Sequence, residues 1–246
     1  MHDEIVKRYT RQMILPDIGQ DGQSALQEGH VFIVGLGGLG SPAALYLAAA
    51  GVGTLTLNDF DRVDLSNLHR QILFDDSDIG KNKTATTAAK LGRLYPPLNA
   101  NAVDGKLDLE QLSDYCTAAD VVLDCSDNFQ SRHLLNQACV NTRTPLVSGA
   151  AIRLEGQVAV FNNTPKSPCY ACLYPEAVDQ TERCSEVGVI GPLVGVIGSM
   201  QALEAIKILT AVGESLDGRL LLFDARQMHW REVKLNKDSQ CPVCSS

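Results

Sequence analysis

Two kinds of residue spacing in this chain can do chemistry: a glycine-rich turn followed by well-placed acids and cations, and two pairs of cysteines. In Gly35-x-Gly37-x-x-Gly40 the glycines permit a tight turn and let backbone N–H groups approach a phosphate at the positive end of a following helix. Asp59, nineteen residues beyond Gly40, stands where a carboxylate accepts hydrogen bonds from ribose hydroxyls. The combination reads as an adenine-nucleotide site. A nicotinamide dehydrogenase is the default for it, and glycines chosen only for close helix–strand packing are the plain alternative.

The residues after Asp59 depart from that default. Asn67 and Arg70 lie in Asp61-Arg-Val-Asp-Leu-Ser-Asn-Leu-His-Arg70-Gln71, and Lys83 opens the next helix, so an amide and two cations fall near the phosphate end of the nucleotide. Attack at phosphorus builds negative charge on non-bridging oxygens, which fixed cations stabilise more in the transition state than in the ground state. Taken singly, Arg70 or Lys83 is a solvated surface charge; the trio is not so easily dismissed. Asp127, with Asn128, follows the strand Ala119 to Cys125, at the edge where open α/β sheets bind ligands. It can hold Mg²⁺ together with phosphate oxygens, or cap the helix beginning at Phe129.

Cys169-Tyr-Ala-Cys172 and Cys241-Pro-Val-Cys244 are two C-x₂-C pairs separated by 68 residues. Two thiolates from each complete a closed tetrahedral site, hence a structural zinc that ties the C-terminal end to a mid-chain loop. A redox C-x-x-C is the rival, but redox does not call for a second pair. Of the other four cysteines, Cys116, Cys125 and Cys139 sit in helix or strand contexts and read as core. Cys184, in the polar stretch Thr181-Glu-Arg-Cys-Ser-Glu186, has Arg183 beside it to stabilise a thiolate; an ordinary loop thiol is the other reading.

The elements that would position these groups alternate. His30 to Val34 is a β-branched strand running into the glycine turn, Ser41 reads as N-cap and Pro42 as the first residue of an Ala/Leu-rich helix, and Gly51 closes it. A strand over 54–58, a helix over 81–95, the strand 119–125 and a helix from Phe129 to Val140 continue the rhythm. Beyond Ser148, strands over 156–161, 219–223 and 230–235 lack intervening helices apart from one around Gly198 to Val212. The expectation is an α/β fold: a Rossmann-like doubly wound mixed sheet with antiparallel C-terminal strands and a structural Cys₄ zinc site. One domain spans 1–246, with an N-terminal arm 1–29, a nucleotide-binding half 30–148 and a half 149–246 that bears the zinc cysteines and, by the family resemblance given below, is expected to bind a partner.

Composition bounds the function. The chain has 246 residues, 45 % of them hydrophobic, and a net charge of −8, which argues against a surface for nucleic acid or anionic membranes. No apolar run reaches about 18 residues, since glycines and Pro192 break the stretch from Val187 to Met200. The charged N-terminus has no secretory h-region, so the expectation is a cytoplasmic protein with reduced cysteines.

RYTRQ (Arg8 to Gln12), GLGGLG, the Asp59…SNLHRQ stretch, LDCSDN (Leu123 to Asn128), PLVSGA, both C-x₂-C pairs and GVIGPLVGVIGSMQALEAIK (Gly188 to Lys207) occur in that order. In this the chain resembles the ThiF/MoeB/HesA family, relatives of the ubiquitin-activating enzymes, over essentially its whole length. The resemblance implies an adenylyltransferase: the C-terminal Gly-Gly carboxylate of a ubiquitin-like sulfur carrier attacks the α-phosphate of MgATP. Carried over by motif, Gly38 approaches the phosphates, Asp59 takes the ribose, and Ser66, Asn67, Leu68, His69 and Asn128 fall in the nucleotide site. Arg70 and Lys83 contact the triphosphate and Asp127 holds magnesium. Arg11 matches the arginine that reaches into the neighbouring subunit's ATP site. The implied assembly is a homodimer with structural zinc, served by a sulfurtransferase or cysteine desulfurase.

Within the family, DIGQDGQ, SPAALYLA, RQILF and IGPLVGVIGS look like the thiazole-pathway type, which acts on the carrier ThiS and uses a cysteine matching Cys184 in sulfur transfer. SGAAIRLEGQ looks more like the molybdopterin type, acting on MoaD, where that cysteine is not essential to adenylation. The balance leans to the thiazole type. A relative that adenylates a tRNA base fits the acidic charge and short C-terminus less well. The dehydrogenase, and a non-catalytic nucleotide-binding scaffold, are the rivals from other classes.

Overall fold

A computed structural model describes residues 3–175 and 188–245. The apolar, β-branched strand β1 (His30–Val34) and the sharp exit at Gly35 lead into α3 (Gly40–Ala50). Ahead of β1 lie α1 (Asp3–Met13) and α2 (Gly19–Glu28). β2 (Thr54–Asp59), α4 (Lys83–Leu94), β3 (Asn99–Asp104), α5 (Leu109–Ala118), β4 (Val121–Asp124), α6 (Phe129–Thr142) and β5 (Leu146–Ile152) continue the alternation. Then follow β6 (Glu155–Phe161), the short α7 (Tyr170–Leu173), α8 (Gly191–Thr210), β7 (Arg219–Asp224) and β8 (His229–Lys234).

The eight strands form one sheet in the order β3-β2-β1-β4-β5-β6-β7-β8. The first five are parallel and β5 to β8 are antiparallel, as the loss of helices after Ser148 implies. The division between 148 and 149 falls inside β5, which pairs with β4 on one side and β6 on the other. Strand order reverses between β1 and β4, so a crevice opens at their C-terminal ends. Leu47, Leu55, Leu57 and Val158 fill one face of the sheet, and Phe32, Leu135, Phe161 and Tyr170 the other. The arm is fastened to α3: Gln12 and Gln23 both donate side-chain amides to the Ala50 carbonyl, at 3.1 Å each.

Several local expectations are corrected. The N-cap position of α3 is Leu39 rather than Ser41, whose hydroxyl donates to the Leu36 carbonyl at 3.0 Å. β3 and α5, unread in the sequence, are present. α8 begins at Gly191, not near Gly198, and by length and composition alone it is long and apolar enough to cross a membrane. In the fold it lies against α3, β5 and β6, with Leu193, Val194, Ile197, Ala202 and Ala205 buried.

Candidate active site and cysteine cluster

The crevice at the strand ends is a cleft of about 1140 Å³. Gly35 leaves β1 with φ +91°, and a Cβ there would stand 2.7 Å from the Cys125 carbonyl oxygen at the end of β4. A Cβ on Gly40 would collide with the Gly35 carbonyl, so the motif's last glycine serves the tightness of the turn. Among the described residues no side chain caps α3; its Ser41 N–H is spent on the Gly37 carbonyl at 3.0 Å and Pro42 has none, so the N–H groups left for an anion are those of the glycine turn up to Gly40. Gly38 lines the cleft, but its α-carbon turns to α8, where a Cβ would lie 2.7 Å from Val194 Cγ2.

Asp59 ends β2 and is buried. One carboxylate oxygen accepts the Leu36 N–H at 2.7 Å and the other the Asp61 N–H at 2.8 Å. It therefore braces the glycine turn while keeping lone pairs for ribose hydroxyls. Burial raises its carboxyl above the usual range, with the Lys83 charge pulling it back down.

Beyond Asp59 the chain curls through a 3₁₀ turn, Leu65–Asn67, capped by the Asp64 carboxylate on Ser66 N–H at 2.9 Å. Arg70 donates one Nη to the Ser66 carbonyl, and the same Nη meets His69 Nε2, both at 2.9 Å. Ser66, Asn67, His69 and Arg70 line the cleft, whereas Leu68 packs against the core. Lys83, the first residue of α4 behind the cap Asn82, is buried in the cleft wall with Nζ 3.0 Å from Asp61 Oδ2.

Across the cleft, Asn128 rather than Asp127 caps α6, accepting the Ser131 N–H at 2.9 Å. The alternative role considered for Asp127 is thus taken by its neighbour. The exposed Asp127 carboxylate has the Asn128 amide as a partner at 3.3 Å and faces the cleft, where one carboxylate plus phosphate oxygens suits Mg²⁺.

Residues unread in the sequence complete the walls. Asp61 holds both Asp59 and Lys83. Phe60 lies under Lys106 Nζ, 4.7 Å from the ring centroid, beside Leu107, and offers an aromatic surface to a base. Buried Arg132 pairs with Asp124 at 3.1 Å and donates to the Ser126 and Gly149 carbonyls, joining the ends of β4 and β5 below Asp127. Arg11, exposed in the last turn of α1, is not among the described residues that line this cleft. Cys184 lies outside the described residues.

The four predicted ligand cysteines converge. Their sulfurs lie within 4.8 Å of one another, with Cys169–Cys241 at 3.7 Å and Cys172–Cys244 at 3.5 Å. A Zn–S bond of about 2.3 Å in a tetrahedron sets sulfurs about 3.8 Å apart, so the donor set and its spacing fit zinc. N–H groups already point at the sulfurs: Asp238 N–H at 3.4 Å from Cys172 and the Asn136 amide at 3.6 Å from Cys169. Burial pushes the Cys169 thiol up to about 11, which a bound cation would reverse. Cys116 and Cys139 are buried side by side, and Cys125 is buried at the end of β4.

With that geometry in place, residues 9–243 match the profile of the ThiF family. The chain is 47 % identical over 244 residues to the sulfur carrier protein ThiS adenylyltransferase of Escherichia coli K12, covering 99 % of this chain and 97 % of the relative. It is 46 % identical to the molybdopterin-synthase adenylyltransferase of the same organism, covering 99 % and 98 %. It matches the Drosophila willistoni adenylyltransferase and sulfurtransferase MOCS3 at 46 % identity, covering 98 % of this chain and 54 % of that one. Among solved structures, E. coli MccB with MccA-N7isoASN superposes with a TM-score of 0.85 at 22 % identity, over 98 % of this chain and 75 % of MccB, a likeness of fold.

Proposed function

The chain belongs to the ThiF family, and on that premise we propose that it uses MgATP to adenylate the C-terminal Gly-Gly carboxylate of a ubiquitin-like sulfur carrier, releasing pyrophosphate. The observation that carries this reading is the convergence of Arg70, Lys83 and Asp127 on one cleft with the glycine turn and Asp59. A dinucleotide's pyrophosphate needs no such cluster.

In the reaction a carboxylate oxygen forms a bond to the α-phosphorus while the bond from that phosphorus to the bridging oxygen breaks, and pyrophosphate leaves with the electron pair. The attacking carboxyl, with an ordinary pKa of about 3.5, is ionised at neutral pH, so no general base is required. Arg70 and Lys83 stabilise the charge gathering on the phosphate oxygens. Asp59 and the N–H groups of the glycine turn hold ribose and phosphate in line. Asp127 is the residue that would hold Mg²⁺, which when bound neutralises phosphate charge. The cysteine cluster, with every ligand position taken, would hold a structural zinc.

The carrier read as substrate is ThiS-like, in thiamine thiazole formation, with Cys184 serving sulfur transfer and a sulfurtransferase or cysteine desulfurase as donor. A MoaD-like carrier, in molybdenum cofactor formation, is the second reading, favoured by the SGAAIRLEGQ stretch and by a molybdopterin-synthase relative at 46 % identity. The enzyme is read as a homodimer in which Arg11 serves the partner's cleft; the exposed Ile14 and Leu15 beside it are apolar surface for such a contact.

Exchange of labelled pyrophosphate into ATP, with purified ThiS-like and MoaD-like carriers in parallel, tests the proposal. Carrier-dependent exchange is expected, stronger with the ThiS-like carrier; no exchange with either would sink it. Cys184→Ser is expected to leave exchange intact and block sulfur transfer.

A further inference from the structure

Gln71 closes the turn that carries Asn67 and Arg70, and its environment is unusual for a buried amide. Only 3 % of the residue is exposed, yet its Oε1 has no hydrogen-bond partner among the described residues. Its backbone is firmly held. The Gln71 N–H donates to the Asn67 carbonyl at 3.0 Å, the Phe74 N–H returns to the Gln71 carbonyl at 3.0 Å, and Leu73 and Phe74 are buried just beyond. The side chain is thus delivered to one place by a fixed segment.

That place is the glycine turn. Among the described residues, its chain neighbours aside, the atom within 4 Å of a Cβ built on Gly37 is Gln71 Nε2, at 3.6 Å, and both residues line the cleft. Gly35 and Gly40 are spent on backbone closeness; Gly37 instead has open space above it, bounded by this amide. A phosphate seated on the N–H groups of the glycine turn would fill that space and present oxygens to the amide. Phosphate oxygens only accept, so what they can pair with is the Nε2 donor beside Gly37 and not the orphaned Oε1, whose lack of a protein partner leaves the amide free to turn that donor to a ligand.

Resting on the adenylation reading, we propose that Gln71 is a phosphate-binding residue, its side-chain amide donating to a non-bridging oxygen of the nucleotide triphosphate held on the glycine turn. The neutral donor complements Arg70 and Lys83. It fixes the phosphate's orientation without adding charge.

Gln71→Met keeps the volume and removes the hydrogen-bonding groups. Removing an unpaired buried amide costs the free protein nothing, so its Tm without ligand should equal or exceed that of the wild type. Affinities for ATP, inorganic tripolyphosphate and adenosine are then measured on both proteins by calorimetric titration. The expected result is about tenfold weaker binding of ATP and of tripolyphosphate with adenosine unchanged. Gln71→Glu, which sets a carboxylate against the phosphate, should lose more. ATP binding of wild-type strength in the Met variant, or ATP and adenosine affinities falling together, would overturn the assignment while leaving adenylation standing. A wild-type protein that binds neither ATP nor tripolyphosphate would overturn both.

Discussion

Asp61 links the two ends of the nucleotide. Its N–H holds Asp59 at 2.8 Å, its carbonyl accepts the Lys83 N–H at 3.2 Å, and its carboxylate meets Lys83 Nζ at 3.0 Å. Its side chain is half exposed, so the ion pair adds little to stability and acts by aiming a buried lysine. Arg70→Ala and Lys83→Ala should each lower kcat by about 10²-fold or more with little change in KM, because they act on charge formed in the transition state. Steady-state pyrophosphate exchange checks this, and a loss confined to KM would contradict it. Asp61→Asn should cost about tenfold in kcat in the wild type and nothing further beside Lys83→Ala, since neighbours that act through each other are not additive. Losses that multiply would show Asp61 acting elsewhere. Arg70, Lys83 and Asp127 were legible because charge type and position past a strand end already constrain their chemistry. Asp61 and Gln71 stood in the same stretch without a reading, because their meaning lies in one backbone N–H and one missing partner.

At the scale of elements, Arg132 gathers the ends of β4 and β5. It meets Asp124 and the carbonyls of Ser126 and Gly149 at once, and Gln201 from α8 donates to the Asp124 carbonyl at 2.7 Å. Arg132→Lys keeps the charge but loses the fork, of which Nη1 meets the Asp124 carboxylate and Nη2 both carbonyls. The variant should fold with a lowered Tm and lose about tenfold in kcat at unchanged ATP affinity, read by calorimetry and exchange; full activity would mean that the strand ends need no such tie. The strand, turn and helix around residues 30–51 were readable from an apolar run, glycines and an αL stop at Gly51. β3 escaped because NANAVD is a mostly exposed edge strand without apolar alternation. α5 did carry a signal, the capping box of Asp108 with Gln111. In the sequence Gly191 and Gly198 look like breakers, so the pattern predicts a helix only around Gly198 to Val212. In the fold they are contact points: a Cβ at Gly191 would strike the His69 carbonyl, and one at Gly198 the Leu39 carbonyl. Those glycines press the helix against the nucleotide turns.

At the scale of the molecule, two long-range ties were read from spacing or resemblance rather than from local pattern. The first is the cysteine cluster, which draws the C-terminal segment to α7 beside Asn136 of α6. Cross-linking across about 70 residues removes roughly 4 kcal/mol of chain entropy from the unfolded state. Cys244→Ser should therefore abolish one bound zinc per chain by mass spectrometry and lower Tm by about 10 °C. An unchanged Tm would leave the cluster without a structural role. The second is the proposed tie between subunits, which the net charge of −8 would conceal, because the cations it invokes are few. Arg11 lies outside its own cleft, so if it works it must work in another copy. Mixing decides this. Arg11→Ala and Lys83→Ala homodimers should each be nearly inactive, every cleft lacking one cation. Subunits exchanged at random give half heterodimers, in each of which one cleft receives both Arg11 and Lys83 from opposite chains. Roughly a quarter of wild-type exchange should then return, since a two-fold assembly holds two clefts. If Arg11 served its own chain's cleft, or if the protein acted as a monomer, mixing would restore nothing.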